Sequence, residues 1–280
     1  MEQCIEGVRI VREVDTQPVS GTMFLSLIAR AEESMGKKPL ISDDEAVRAY
    51  KKFKYIHVNE LPDRCTGASA AVRTHMLDAL VSAFLEEKPE ALCINIGAGL
   101  DTRFFRIDNG TLHWVDIDLP QAIEVRRLLI PEHERVTAIG CDALDPSWAG
   151  AVDACGRPVL IIAEGLLMYF DEEQVRGLLD TICSKFPGAT LMIEYMSDRA
   201  VNDPRLLRLA GWADAGFRWG IANAGQVTRL EGRLSLIEDQ RLSDCMYLKV
   251  PICRLFGRIE AVKSLSNGIG VYAISGHVTV

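Results

Sequence analysis

The chain has 280 residues and a formal net charge of −8, from 31 lysines and arginines against 39 aspartates and glutamates, and 48% of its residues are hydrophobic. This is the composition of a soluble globular protein that is long enough to bury a large core. The negative charge argues against nucleic acid as a partner, because phosphate binding requires a basic surface.

The apolar stretches are all shorter than the roughly 20 residues needed to cross a bilayer, and the charged N-terminal residues do not resemble a signal peptide. The sequence contains 8 cysteines but no C-x-x-C pair, and several cysteines lie in apolar runs, where they pack as small hydrophobic residues. We therefore expect a cytoplasmic protein without membrane association and without a metal site.

Residues 1–89 predict a helical N-terminal segment. A capping box, Ser42-Asp43-Asp44-Glu45, predicts the start of one helix, and a further helix is predicted over about 68–86. An earlier helix has an apolar stripe at helical spacing, formed by Phe24, Leu27, Ile28, Ala31 and Met35.

Residues 90–280 predict an α/β core, because short apolar runs alternate with helical stretches. The first five runs are continuously apolar, which is typical of parallel strands buried on both faces. The sequence Asp171 to Gln174 predicts a capped crossover helix before the fifth strand. The predicted strands are 91–97, 112–117, 136–141, 159–164, 190–195, 233–239 and 270–278, with a helix over 252–264 between the last two.

The long connection over about 196–232 predicts a cap above the strand ends. It carries three large aromatic residues, Trp212, Phe217 and Trp219.

The first predicted strand leads into a glycine turn, Gly97-Ala98-Gly99, followed by a short helix. Glycine allows close approach of the backbone to a ligand, and a helix N-terminus offers free N–H groups. Asp101 and Thr102 occupy positions where a dinucleotide pyrophosphate would require bare backbone. The turn therefore favours a nucleotide-like ligand without phosphate, although a purely structural turn remains an alternative.

Acidic residues follow the second and third predicted strands. Asp118 lies 19 residues after Gly99, the spacing at which a carboxylate binds the hydroxyls of a ribose. Asp116 and Asp142 are weaker candidates, since an aspartate at a strand end also caps a helix or starts a turn. An aspartate at position 142 could accept a hydrogen bond from an adenine amino group.

Glu164 ends the fourth predicted strand, where a carboxylate is costly unless it is paired or binds a ligand. Tyr169 lies in the same loop and could line an acceptor pocket or pack in the core. Arg73 falls on the apolar stripe of the 68–86 helix and requires an anionic partner. That partner could be a protein carboxylate or the carboxylate of a ligand.

Five segments together resemble the leucine carboxyl methyltransferase family, and most closely its bacterial branch of tetracenomycin-type polyketide O-methyltransferases. The segments occur in the order and spacing of the family over roughly residues 20–200. They are AVRTHMLD (71–78), GAGLDTRFFR (97–106), VDIDLP (115–120), CDALD (141–145) and EGLLMYF (164–170).

The resemblance implies an α/β class I Rossmann-like methyltransferase that uses S-adenosyl-L-methionine, with seven mostly parallel strands and the last strand antiparallel. It further implies that Arg73 holds the methionine carboxylate and Asp118 binds the ribose. The remaining implied cofactor contacts are Gly97, Ala98 and Gly99 to the methionine portion, Asp142 and Ala143 to the adenine, and Glu164 to the methionine amino group.

We expect O-methylation of a small-molecule carboxylate or hydroxyl, with a polyketide-like metabolite as one candidate acceptor and a homodimer as one candidate assembly. A carboxylate is ionised at neutral pH and requires no general base. For a hydroxyl acceptor, Glu164 and Tyr169 are the candidate catalytic residues. The alternatives are a nicotinamide-dependent oxidoreductase, which the incomplete glycine fingerprint disfavours, and a non-catalytic nucleoside-binding protein.

Overall fold

The computed structural model describes residues 21–53, 64–203, 205, 216–256 and 259–276. Within these ranges, seven strands form one sheet in the order β3-β2-β1-β4-β5-β7-β6. The strands are β1 (Leu92–Ile96), β2 (His113–Asp118), β3 (Val136–Gly140), β4 (Val159–Ala163), β5 (Thr190–Tyr195), β6 (Leu234–Arg241) and β7 (Gly268–Ile274).

Strands β1 to β5 pair in parallel, and β7 runs antiparallel to both β5 and β6. The parallel pairs are joined by crossovers, as parallel strands require. This arrangement confirms the predicted α/β architecture with a mostly parallel sheet and an antiparallel last strand.

The helices lie on both faces of the sheet and over its carboxyl edge. They are α1 (Gly21–Ser34), α2 (Asp44–Phe53), α3 (Arg64–Glu87), α4 (Arg103–Ile107), α5 (Pro120–Leu129), α6 (Ser147–Ala151), α7 (Glu172–Lys185), α8 (Asp198–Val201), α9 (Val227–Leu230), α10 (Leu242–Cys245), α11 (Cys253–Phe256) and α12 (Glu260–Lys263). Short 3-10 turns occur at Leu167–Tyr169, Ala224–Gln226 and Met246–Leu248.

Two apolar layers cover the sheet. On one face, α3 contributes Leu77 and Val81 to a cluster with sheet residues such as Ile162. On the other face, α7 contributes Leu178 and Ile182 to the largest cluster. The predicted cap at the start of α7 is present, since the Asp171 side chain accepts from the backbone N–H of Gln174 and the Gln174 side chain accepts from Asp171.

The N-terminal helices form a third cluster against α5, with Leu27 and Ile28 fully buried. The predicted stripe is too long, because Met35 follows the end of α1 and is 50% exposed. The capping residue of α2 is Asp43 rather than the predicted Ser42. The Asp43 carboxylate accepts from the backbone N–H of Ala46 at 2.9 Å.

Three further sequence-based expectations differ from the structure or extend beyond it. Strand β3 is partly exposed rather than buried on both faces, because it is an edge strand of the sheet. The region predicted as one helix over 252–264 contains α11 and α12, and residues 257–258 between them lie outside the described residues. Trp212 and the end of the last predicted strand, 277–278, also lie outside them.

The order of the strands determines where a ligand can bind. Strands β2 and β3 extend the sheet from one side of β1, whereas β4 and β5 extend it from the other. In open α/β sheets this reversal leaves a crevice beyond the carboxyl ends of the central strands. The loops after β1, β2 and β4 all open into that crevice.

Candidate functional site

A cavity of about 520 Å³ lies at the carboxyl ends of β1, β2 and β4, within the usual size range of small-molecule sites. Helices α1 and α3 contribute further walls. The cavity brings together nine of the ten residues proposed from the sequence, all except Asp116; the nine are Arg73, Gly97, Ala98, Gly99, Asp118, Asp142, Ala143, Glu164 and Tyr169.

The glycine turn after β1 requires glycine for two reasons. Gly97 and Gly99 have φ angles of +71° and +46°, in the left-handed region that strains other residues. A Cβ added at Gly97 would lie 2.9 Å from a methyl carbon of Leu166. The backbone N–H groups of Gly97 and Ala98 both donate to the Ile117 carbonyl, which anchors the turn to β2.

Asp118 at the end of β2 is tied directly to this turn. Its Oδ2 accepts from the backbone N–H of Gly99 at 2.6 Å, and its Oδ1 accepts from Leu119 N–H at 2.7 Å. Burial raises the pKa of Asp118, although these two N–H donors oppose the rise. The hydrogen bond between Gly99 and Asp118 therefore connects the glycine turn after β1 to the end of β2.

Asp116 does not line the cavity. It is fully buried, pairs with Arg126 at 2.6 Å and accepts from the Trp114 indole at 2.8 Å. Arg126 in turn donates to the carbonyls of Gly99 and Asp101. This supports a structural role for Asp116 beneath the glycine turn.

The segment after β3 supplies Asp142 and Ala143 to the cavity wall. The Asp142 carboxylate is exposed and accepts from the backbone N–H of Leu144 at 2.9 Å, while Ala143 is buried. An apolar surface beside a carboxylate is suited to a flat polar ring such as a purine.

Arg73 on α3 reaches the floor of the cavity between two carboxylates. Its Nε lies 2.7 Å from Glu164 Oε1, and its Nη1 lies 3.3 Å from Glu194 Oε2. Its Nη2 donates to the Ser26 hydroxyl on α1 at 3.1 Å. The sequence left open whether Arg73 pairs with a protein carboxylate or with the carboxylate of a ligand. The structure shows that Arg73 has two protein carboxylate partners.

Glu164 at the end of β4 lies between two guanidinium groups. Its Oε2 accepts from Arg103 Nη2 at 2.7 Å, in addition to the Arg73 contact. Burial opposes its charge, but Arg103 and Arg73 outweigh burial and lower the pKa of Glu164. The carboxylate is therefore ionised and paired with two guanidinium groups of the protein.

Sequence reasoning missed Glu194, which is 1% exposed near the end of β5. Besides pairing with Arg73, it accepts from the backbone N–H of Gly165 at 2.8 Å. Burial raises the pKa of Glu194, and the nearby Glu164 adds to the rise while Arg73 opposes it. Glu194 could have been identified by the same signal as Glu164, a carboxylate near the end of an otherwise apolar run, here TLMIEY.

Sequence reasoning also missed Arg103, which is buried beneath the glycine turn. Its guanidinium donates to Asp78, Asp101 and Glu164, in each case at 2.7 Å. The residues after the glycine turn thus connect it to α3 and to the end of β4. Asp101, which in the sequence argues against a pyrophosphate ligand, is part of this support.

One part of the cavity wall, formed by Tyr169 and Phe217, is aromatic. The Tyr169 ring lies 5.2 Å from the Phe217 ring, measured between centroids, at an interplanar angle of 58°. The Tyr169 hydroxyl is 3.0 Å from the Thr22 hydroxyl on α1. Trp219 packs in the main core instead of on this wall.

A family model for leucine carboxyl methyltransferase matches residues 22–183, which is more than half of the chain. The chain belongs to the leucine carboxyl methyltransferase family. The matched segment includes nearly all of α1, all of α3 and the loops after β1 to β4, so it contains all nine cavity residues proposed from the sequence.

Two relatives extend this result. The chain is 27% identical to the tetracenomycin polyketide synthesis O-methyltransferase TcmP of Streptomyces glaucescens over 233 residues, covering 81% of this chain and 86% of that protein. It is 28% identical to the S-adenosyl-L-methionine-dependent methyltransferase dpfgK of Gibberella zeae over 181 residues, covering 59% and 60% of the two chains. This family member is therefore an S-adenosyl-L-methionine-dependent methyltransferase, and the predicted cofactor is confirmed.

Solved structures agree with the fold. A Thermobifida fusca protein superposes with a TM-score of 0.57 at 18% identity, covering 90% of this chain and 94% of that chain. The magnesium protoporphyrin IX methyltransferase ChlM of Synechocystis, solved with bound S-adenosylhomocysteine, gives 0.51 at 12% identity, covering 83% and 100%. The predicted class I methyltransferase fold is confirmed. Within the described ranges, no helix combines the length and apolarity needed to span a bilayer.

Proposed function

We propose that this methyltransferase transfers a methyl group to an oxygen atom of a small-molecule acceptor, and that this oxygen belongs to a carboxylate. The relative from S. glaucescens is named as an O-methyltransferase of polyketide synthesis, and the family is named for carboxyl methylation. A carboxylate needs no proton removed before it reacts, whereas a phenol or alcohol needs a general base. A hydroxyl acceptor therefore requires a basic side chain in the cavity wall, whereas a carboxylate acceptor does not.

The observation that carries this proposal is that the acidic side chains facing the cavity are already engaged. Glu164 contacts two guanidinium groups, Glu194 pairs with Arg73, and Asp118 accepts two backbone N–H bonds. No histidine or lysine is present among the described residues that line the cavity. This arrangement favours an acceptor that reacts without a base.

The residues present fit S-adenosyl-L-methionine. The position of Gly97 has no space for a side chain, and Arg73 presents a half-buried guanidinium to a cavity that also contains carboxylates. When bound, the cofactor supplies an electrophilic methyl group on a sulfonium. We assign the methionine carboxylate to Arg73, the methionine amino group to Glu164 and the ribose to Asp118. The backbone of Gly97, Ala98 and Gly99 would contact the methionine portion, and Asp142 with Ala143 the adenine.

The protein's contribution to the reaction would be orientation and the exclusion of water. Aligning the acceptor oxygen with the methyl group lowers the entropic part of the barrier, and a closed site prevents competing hydrolysis. The Tyr169 hydroxyl is bonded to Thr22, and its ring packs with Phe217. We therefore propose that Tyr169 positions the acceptor. For a hydroxyl acceptor, Tyr169 is also a candidate general base.

We further propose that residues 1–89 cover the cofactor and that the segment around 196–232 closes the acceptor side, both over the core of residues 90–280. The Tyr169 to Thr22 bond and the Phe217 ring support this division, since they bring both covering segments to the loop after β4. The aromatic wall favours a planar acceptor, in line with a polyketide-like metabolite.

The proposal can be tested with methyl-labelled S-adenosyl-L-methionine and two acceptor series that share ring systems. One series contains aromatic carboxylic acids such as 2-naphthoate, and the other contains the corresponding phenols such as 2-naphthol. A methyl ester releases labelled methanol in mild alkali, whereas a methyl ether is stable. The rate is then measured between about pH 5.5 and pH 9, where a carboxylate is ionised throughout, whereas a phenol is mostly protonated and its ionised fraction rises with pH.

We expect alkali-labile product from the acids and a rate that does not rise with pH over this range. Alkali-stable product from the phenols, with a rate that increases with pH, would show that the acceptor is a hydroxyl. Cofactor binding without transfer to either series would support the non-catalytic alternative.

A further inference from the structure

Arg218 lies at the rim of the cavity beside the aromatic wall. Its backbone N–H donates to the Met168 carbonyl at 2.7 Å, and its Nε donates to the Tyr169 carbonyl at 3.1 Å. These two bonds attach Arg218 to the 3-10 turn after β4. The terminal nitrogens of its guanidinium make none of these contacts.

The other arginines that line the cavity are paired with carboxylates of the protein. Arg30 pairs with Asp43 at 3.0 Å, and Arg73 pairs with Glu164 and Glu194. Arg218, by contrast, has no carboxylate partner among the described residues, and its side chain is exposed. Among the arginines that line the cavity in the described ranges, Arg218 is therefore the one without a carboxylate partner.

We propose that Arg218 binds a carboxylate group of the acceptor while the aromatic part of the acceptor packs against Tyr169 and Phe217. This inference rests on the proposed function and names its substrate class, an aromatic carboxylic acid. A guanidinium offers two parallel N–H donors that match the two oxygens of a carboxylate. The neighbouring rings provide the offset or edge contacts that aromatic groups prefer.

The same contact gives a reason for product release. If the bound carboxylate is the one that receives the methyl group, the ester has lost the negative charge that Arg218 recognises. Charge-assisted hydrogen bonds are roughly twice as strong as neutral ones. The acid would therefore bind more tightly than the ester formed from it.

Binding can be measured apart from turnover, by calorimetric titration of the protein saturated with S-adenosylhomocysteine. The probes are benzoate, 2-naphthoate and anthracene-2-carboxylate, each compared with its uncharged amide. The variants are Arg218→Gln, which removes the charge, and Arg218→Lys, which retains it. Arg127→Gln is the matched control, because Arg127 is exposed, does not line the cavity and also donates to a backbone carbonyl.

We expect at least one acid to bind wild-type protein about tenfold more tightly than its amide. Arg218→Gln should abolish that preference, Arg218→Lys should retain part of it, and Arg127→Gln should leave it unchanged. Affinity for S-adenosylhomocysteine should be the same in all four proteins. The inference is wrong if no acid binds better than its amide, or if the preference survives in Arg218→Gln.

The proposed function can fail separately. Carboxylate methylation that is insensitive to Arg218→Gln would leave the proposed function standing and overturn this inference. A preference for acids that depends on Arg218, with the methyl group found on a ring hydroxyl, would support the role of Arg218 and overturn the proposal that the carboxylate is methylated.

Discussion

Arg103, in the first turn after the glycine motif, donates from Nη2 to Glu164 Oε2 at the end of β4 over 2.7 Å. The other oxygen of Glu164 lies 2.7 Å from Arg73 Nε on α3. One buried carboxylate thus joins three separate segments of the chain around the cavity. Breaking one member of such a group leaves an uncompensated buried charge.

Glu164→Gln should lower the free energy of unfolding by about 3 kcal/mol at pH 7, because Arg73 loses its nearest anionic oxygen and Arg103 loses one of its three carboxylate partners. Urea unfolding measures this change. The matched control is Glu172→Gln, whose carboxylate is 62% exposed and pairs with Arg176 at 3.2 Å. The control should change stability by less than about 0.5 kcal/mol, since exposed ion pairs contribute little. Equal effects of the two substitutions would contradict the prediction.

Asp118→Asn and Arg73→Gln should each weaken S-adenosyl-L-methionine binding at least about tenfold, or about 1.4 kcal/mol, in a calorimetric titration. The reason is that each variant loses a charge assigned to the cofactor. Asp145→Asn is the control for Asp118, because Asp145 follows the neighbouring strand and accepts from the Ser147 N–H but does not line the cavity. Unchanged affinity in Asp118→Asn would remove the ribose assignment.

Gly97→Ala should destabilise the protein more than Gly110→Ala does. Both glycines have positive φ angles, +71° and +85°, so both variants carry backbone strain of about 1 kcal/mol. Only at Gly97 does the new Cβ also meet another side chain, a Leu166 carbon at 2.9 Å. Thermal unfolding compares the two variants, and a larger loss in Gly110→Ala would show that the contact with Leu166 relaxes without cost.

Asp43→Asn should change how stability depends on pH. Burial alone would raise the pKa of Asp43, but Arg30 and Arg106 outweigh burial and lower it. A depressed folded-state pKa contributes stability that is complete above the unfolded pKa of about 3.9 and is lost as the pH falls through the folded value. The stability difference between wild type and Asp43→Asn should therefore be largest near pH 7 and shrink below about pH 4.

Urea unfolding of both proteins between about pH 3 and pH 7 would measure this difference. The contribution of Glu194 to stability has the opposite pH dependence. Burial raises the pKa of Glu194, so its contribution becomes less favourable to the folded state as the pH rises through that pKa. A Glu194→Gln variant therefore serves as a comparison. A difference between wild type and Asp43→Asn that grows on acidification would contradict the assignment.

Much of the site could be predicted because its signals are local. Gly97 and Gly99 follow an apolar run, Asp118 ends the next run, and Glu164 is a charge at the end of a third. Each signal depends on a strand and the one or two residues after it. Parallel strands then bring these positions to one edge, because the carboxyl ends of such strands all point the same way.

The partners of these residues could not be predicted. Asp78 and Arg103 are 25 residues apart, and Arg73 and Glu194 are 121 apart, so no helical or strand periodicity relates them. The exposure of β3 was also missed, because an apolar run does not reveal whether its strand is central or at an edge.

The sequence by itself determined the class of fold, the strands, the loops that line the cavity and the methyltransferase family, since these depend on short apolar runs and on residues adjacent to them. The tertiary structure alone decided which charged side chains have partners within the protein. Arg73 and Arg218 both line the cavity, yet Arg73 has two carboxylate partners and Arg218 has none among the described residues. That distinction depends on distances between segments far apart in the chain, which only packing sets.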